Sequence, residues 1–313
     1  MTKKNGIYFN RRSFNPWPIV IFVVGALFFL SWIFALIISL SGSSTYESAG
    51  NVLVIPINGE ISASGGSSFI SGSGTKSYDV VKRIDDAEKD SNIKGVLFEI
   101  NSPGGTPVAS HEIVARIKAM EKPNAALIRD VGASGAYWVA SASDYIIADE
   151  LSLTGSVGVF SSYLEFSGIM DDYNITYQRI VGGEYKDIGS PFRVLKDEER
   201  VELERKVKLM HDYFLNDVAE SRNLSRQQYA EVKSGIFFIG LESLELGLID
   251  EFGRELEAKN YFKELLGEDV SFARFSEKRS FFDAFGLKSD VLGFWVGKGI
   301  SSGFQQESGI SLK

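Results

Sequence analysis

From residue 16 to residue 45 the chain carries no charged side chain, and 19–40 is almost wholly apolar. Few structures are open to such a run. In lipid its amides must bond internally as a helix, and roughly 20 apolar residues span a bilayer core in that form. Lys3, Lys4, Arg11 and Arg12 precede it, with no acidic residue among the first fifteen. Basic flanks stay in the cytoplasm. The expectation is a single-pass anchor in the cell membrane, N-terminus cytoplasmic, with everything after residue 41 extracytoplasmic. Trp17 and Trp32 suit the membrane interfaces. The competing reading is a cleaved signal peptide, whose apolar core is shorter, about 7–15 residues, and the small residues at 41–44 leave it open.

Beyond a polar linker at 43–50 the pattern changes to alternating strands and helices. Strands are predicted over 51–57, 95–100, 125–128, 145–148, 154–160 and 176–181. Helices are predicted over 78–87, where Val80, Val81, Ile84 and Ala87 recur at helical spacing, and over 107–120, 134–142, 163–173, 197–222, 227–233 and 255–266. That alternation indicates an α/β domain with a largely parallel sheet. The Gly/Ser-rich stretch 62–75 and the segment 182–191 read as loops, and the aromatic-rich 272–300 receives no element. The division is therefore a basic tail 1–15, an anchor 16–42, a linker 43–50, an α/β domain 51–270 and an extension 271–313.

Composition narrows the chemistry. Of 313 residues none is cysteine, which removes thiolate nucleophiles, thiolate metal sites and disulfides, and the net charge of −8 argues against nucleic-acid binding. Neither a metal nor a cofactor is expected. Only two histidines exist, His111 and His211. This scarcity matters because of R-D-V-G-A-S-G at 129–135, a glycine-flanked serine between an apolar strand and a helix start. Glycines allow the sharp turn, and Ser134 stands where a helix N-terminus favours developing negative charge. The string G-A-S-G-A at 132–136 nearly matches the G-x-S-x-G elbow, which calls for a downstream histidine. His211 is the one candidate, but it lies on the stripe Val207, His211, Phe214, Val218 of a long helix and reads as a packed residue. His111 opens the helix after the Gly-Gly turn, in a surface or capping role or near the site. A Ser-His-Asp triad fits poorly, so the proton acceptor must be sought among carboxylates and lysines. A lysine can serve when burial brings its pKa down to about 7–8.

Four strings in order, N-S-P-G-G at 101–105, G-A-S-G-A-Y at 132–137, L-T-G-S-V-G at 153–158 and Y-K-D-I-G-S-P at 185–191, resemble the signal peptide peptidase A family in its short, membrane-anchored form. G-L-I-D-E-F-G at 247–253 also matches, and the resemblance covers about 50–270. It implies a ClpP/crotonase-like fold of repeated β-β-α units behind one transmembrane helix. It also implies a Ser-Lys peptidase with Ser134 as nucleophile, Lys186 as general base and Ser156 bonded to that lysine. The histidine that ClpP peptidases use shortly after their serine is missing between His111 and His211.

Pro103 fixes φ before two flexible glycines, so the amides of Gly105 and Gly135 can form an oxyanion hole. Asp187, next to the base, would hold the lysine charged unless paired elsewhere, with Arg193 or Arg129. Val108, Tyr137 and Trp138 are candidates for a hydrophobic cleft wall or for the core. By the resemblance the substrates are remnant signal peptides, and the protein forms a homo-oligomer whose neighbouring subunits share each site. The alternatives are a non-catalytic crotonase-like scaffold, an acyl-CoA-binding relative, and a quality-control protease for membrane or exported proteins.

Overall fold

The computed structural model describes residues 17–40, 50–64, 67–68 and 72–274. Helix α1 (Trp17–Leu40) is long and apolar enough to cross a membrane, with a mean hydropathy of 2.3 over Trp17–Phe34. It belongs to one compact unit, and residues 46–275 form the other.

The second unit is built on an eight-stranded sheet. Its backbone is the parallel run of β1 (Val52–Asn58), β6 (Gly95–Ser102) and β7 (Asn124–Ala133). Between β1 and β6 lie the short β2 (Ile61–Ser62), β3 (Ser67–Ser68), β4 (Gly72–Ser73) and β5 (Thr75–Lys76), then helix α2 (Ser77–Lys89). Helix α3 (Pro107–Lys118) joins β6 to β7, and α4 (Gly135–Ser141) follows β7 at once. β7 then forks. Its first half pairs with β8 (Tyr145–Ala148) through Ala125–Ile128, and its end pairs with β9 (Leu153–Gly155) through Val131–Ala133.

The short helix α5 (Ser167–Asp172) and the 25-residue α6 (Asp197–Ser221) follow, then α7 (Arg226–Val232). β10 (Phe237–Ile239) lies antiparallel on β9, α8 (Gly240–Glu245) comes next, and β11 (Glu251–Phe252) pairs with β8. After α9 (Glu255–Leu266), β12 (Phe272–Arg274) closes the far edge against β1. It forms the first part of the stretch expected as an extension, and residues 275–313 lie outside the described residues.

Side chains alternate across the strands, so the sheet carries a core on each face. Leu53, Ile55 and Ile57 join Phe98, Ile100 and Ile128 on the side covered by α2, α3, α4 and α6. Val52, Val54, Leu97 and Leu127 face α9 through Ala258 and Phe262.

Four local expectations change, the first being that the stretch 62–75 expected as a loop holds β3, β4 and the start of β5. The strand expected over 176–181 does not form: residues 176–180 are exposed, Ile180 at 95%, and no strand among the described residues lies beside them. β-propensity without a partner strand cannot hold a ladder. The strand expected over 154–160 stops at Gly155, where its partner β7 turns into α4, and the helix over 163–173 shrinks to α5. The very short β2, β5, β10, β11 and β12 carry too few residues to show a period and exist through their partners.

Candidate active site

The site forms where β7 ends. Ser134 has φ 53° and ψ −128°, a conformation costly for any residue with a Cβ, and it caps α4. Two bonds hold it there: its amide donates to the Gly155 carbonyl at 2.8 Å, and its own carbonyl accepts from Trp138 at 3.0 Å. The side chain is half-buried, at the mouth of a cleft.

The N-S-P-G-G turn packs against this elbow. Gly104 has φ 104°, and a Cβ there would fall 2.8 Å from the Gly135 nitrogen and 2.9 Å from the Ser134 Cβ. Gly105 forms an isolated parallel bridge with Ile61. That bridge uses the Gly104 carbonyl and the Thr106 amide, both at 2.9 Å, so the Gly105 amide is turned away from it. A Cβ on Gly135 would sit 3.3 Å from the Gly105 nitrogen and collide with Ser110 Oγ. Gly135 is the first residue of α4, whose amide has no intrahelical acceptor. Two free-standing amides thus lie beside one serine, the geometry that stabilises an oxyanion.

The cleft holds about 470 Å³ and is largely apolar. Pro107, Val108 and His111 of α3 form one wall, Trp138 the floor, and Leu209, Met210, Tyr213 and Phe214 of α6 the other wall. Trp138 is locked in place: it stacks on Phe214 at 4.6 Å, and its indole donates to Asp217 at 2.6 Å. Val108 and Trp138 are therefore cleft residues. Tyr137 is core, fully buried, with its hydroxyl donating to the Leu248 carbonyl at 2.7 Å and burial pushing its pKa upward. The contribution of α6 was missed in sequence: Phe214 read as part of a packing stripe, and Leu209, Met210 and Tyr213 lie off that stripe.

Both histidines have partners. His111 lines the cleft, its Nε2 3.0 Å from the Tyr213 hydroxyl. His211 bonds the Val157 carbonyl at 3.1 Å. Ser156 also has a left-handed φ of 52°, and its Oγ donates to the Gly235 carbonyl at 3.3 Å. Lys186 is exposed, in the turns of 182–190, and is not among the residues lining the cleft of its own chain. Asp187 is paired as expected with Arg193, and also with Arg179; Arg129 instead meets Glu99 at 3.7 Å. No cluster of three or more metal-ligating side chains occurs among the described residues.

A largely parallel sheet ends one strand in a strained serine with two amides at hand, an arrangement that suits a serine hydrolase as a class. The model of peptidase family S49 matches residues 116–268, a span that includes Ser134, Ser156 and Lys186. The chain is 35% identical over 226 residues to "Putative protease MJ0651" of Methanocaldococcus jannaschii, covering 70% of this chain and 71% of that one. It is 32% identical to "Putative signal peptide peptidase SppA" of Enterococcus faecium, over 69% of this chain and 64% of that one. "Putative protease slr0021" of Synechocystis is also 32% identical, over 63% and 71%. The chain belongs to peptidase family S49, the signal peptide peptidase A type of serine protease with a ClpP-like α/β fold.

Proposed function

We propose that this chain is a membrane-anchored endopeptidase that works through a Ser134–Lys186 dyad and degrades remnant signal peptides. The observation that carries the reading is the strained Ser134 beside the amides of Gly105 and Gly135, at the mouth of an apolar cleft. Neutral Lys186, held by Ser156, takes the Ser134 proton as Oγ attacks the peptide carbonyl. The tetrahedral oxyanion rests on the two amides, the C–N bond breaks, and the lysine hands its proton to the leaving amine. Water, deprotonated by the same lysine, then hydrolyses the acyl-enzyme. An apolar cleft suits the apolar core of a signal peptide, and α1 would keep the site beside the membrane where such peptides are released, the soluble domain lying outside the cytoplasm.

In one chain Lys186 stands in solvent, so the reading requires a second copy to complete each site. Support comes from the segment after β9, where Phe160, Leu164, Tyr173 and Ile180 are 87, 72, 76 and 95% exposed. A lone chain does not leave so much large apolar surface in water without use for it. The segment carries Lys186 and begins at Phe160, which lines the Ser134 cleft. Packing it on a neighbour would bury it and bring the amine to another chain's serine.

The test is subunit complementation. Ser134→Ala and Lys186→Ala chains, each inactive alone, should regain peptidase activity when co-assembled. Inactivity of the mixed assembly, with both chains present and folded, would overturn shared sites. Activity of Lys186→Ala alone would remove the lysine as base. Peptides that accumulate in cells carrying Ser134→Ala should be signal peptide remnants; fragments of whole membrane or exported proteins would instead support the quality-control reading.

A further inference from the structure

The carboxylate beside Lys186 is the obstacle to any role as a base. Asp187 follows it directly in sequence, and an unneutralised carboxylate near the amine would hold the ammonium charged. The structure meets this with two guanidiniums. Arg179 forks the carboxylate, Nε to Oδ2 at 2.7 Å and Nη2 to Oδ1 at 2.8 Å. Arg193 approaches the same two oxygens, Nε to Oδ2 at 2.9 Å and Nη2 to Oδ1 at 3.2 Å. Each oxygen accepts twice, so the four lone-pair positions of the carboxylate are filled. None is left for a neighbouring ammonium.

The same arginines hold the loop. Arg179 Nη2 donates to the Glu184 carbonyl at 3.2 Å and Arg193 Nη2 to the Asp187 carbonyl at 3.3 Å, one on either side of Lys186. Arg193 also forks Glu199 at 2.6 and 2.7 Å, and that side chain is only 3% exposed in the first turn of α6. Because α6 is also a wall of the Ser134 cleft, the clamp ties the lysine loop to the element that shapes the cleft. The charged groups facing the loop are Glu184 and Asp187 within it, Arg179 and Arg193 around it, and Glu198, Glu199 and Glu202 from α6. Two arginines against Asp187 and Glu199 make the clamp neutral; losing either leaves a net negative charge beginning one residue from Lys186.

We infer that Arg179 and Arg193 are positioning residues for Lys186, occupying Asp187 so that the adjacent amine can shed its proton at working pH. This rests on the proposed role of Lys186 and holds whichever protomer's Ser134 the lysine serves. The experiment is the pH profile of kcat/KM on a fluorogenic apolar peptide, measured on the full-length protein in its intact assembly. Arg179→Gln should move the acid limb upward by about one pH unit while the high-pH plateau is largely recovered. Arg179→Gln combined with Asp187→Asn should bring the limb back, because the liberated charge is gone. A merely structural arginine would lower the plateau and leave the limb in place; that result, or failure of the double variant to restore it, overturns the inference. Arg193→Lys, which keeps the charge but not the fork, should shift the limb less than Arg193→Gln; equal shifts would also count against it. Lys186→Ala separates the two claims. If it keeps wild-type activity the dyad itself is wrong, whereas an inactive Lys186→Ala with an unmoved limb in Arg179→Gln condemns the clamp alone.

Discussion

Ser134 and Ser156 each stand one residue beyond the register pair Ala133–Gly155, at the ends of adjacent parallel strands, and both have left-handed φ, 53° and 52°. The sheet delivers two serines side by side, and each is held in a conformation that an L-residue adopts only at a cost. Strain held at two neighbouring strand ends, one of them at the mouth of the cleft, is the kind of local cost that functional sites carry.

That strain makes the first prediction. Residues in such regions cost about 1–3 kcal/mol, and glycine relieves the cost. Ser134→Gly should be at least as stable as the wild type in a thermal melt, and more stable than Ser134→Ala, which keeps the Cβ. Both should lose labelling by a serine-reactive phosphonate. A Ser134→Gly protein clearly less stable than Ser134→Ala would mean that the turn is not strained.

The proposed oxyanion amides can be tested without touching Ser134, the proposed nucleophile. At Gly135 a methyl group would strike Ser110 Oγ, which is buried and unpartnered. Gly135→Ala should displace the α4 N-terminus and lower kcat by about 10²–10³, the usual loss for one misplaced oxyanion donor. The far-ultraviolet circular dichroism should remain that of the wild type. Unchanged kcat in a folded variant would exclude that amide from the reaction.

Selectivity should follow the cleft wall. Val108 is 69% exposed and lines the cleft, so its replacement costs little stability, within about 0.5 kcal/mol. Val108→Lys places a cation where apolar side chains would dock. KM for apolar peptides should rise severalfold, and peptides bearing an acidic residue should gain relative to them. The check is a competition assay with a peptide mixture, read by mass spectrometry.

The Arg193–Glu199 pair predicts a pH dependence of stability. Hydrogen bonds from the Arg193 guanidinium, and then from the Lys196 amide, lower the Glu199 carboxyl from its ordinary 4.5 to about 2. A group whose folded pKa is depressed stabilises the fold fully above its unfolded value and loses that contribution as pH falls through the folded one. Glu199→Gln should therefore melt below the wild type at pH 7, and the two melting temperatures should converge between about pH 4.5 and 2. A deficit that persists undiminished at pH 2 would assign the effect to packing rather than charge.

Sequence alone determined what depends on neighbours along the chain. The apolar run of α1, the near-continuous apolar runs of β1 and β6 and the first half of β7, and the helical spacing of Val80, Ile84 and Ala87 each lie within one element, and each element formed. The glycine-flanked Ser134 and the N-S-P-G-G turn were legible because a sharp turn demands its own residue types. The structure decided what depends on partners distant in sequence. Residues 176–181 carry strand-favouring Thr176, Tyr177, Ile180 and Val181 yet find no ladder among the described residues, while Phe237–Ile239 forms one because the edge of β9 is open to it. Nothing local marks Met210 and Tyr213 as cleft residues; the way α6 crosses above α4 does. Asp187 could be expected to need a cation, but the two arginines that converge on it, and the loop they hold, exist only once the segment is folded back on α6. Periodicity records whether a side chain is buried, whereas a site is a meeting of side chains, and that meeting is set by how the elements pack.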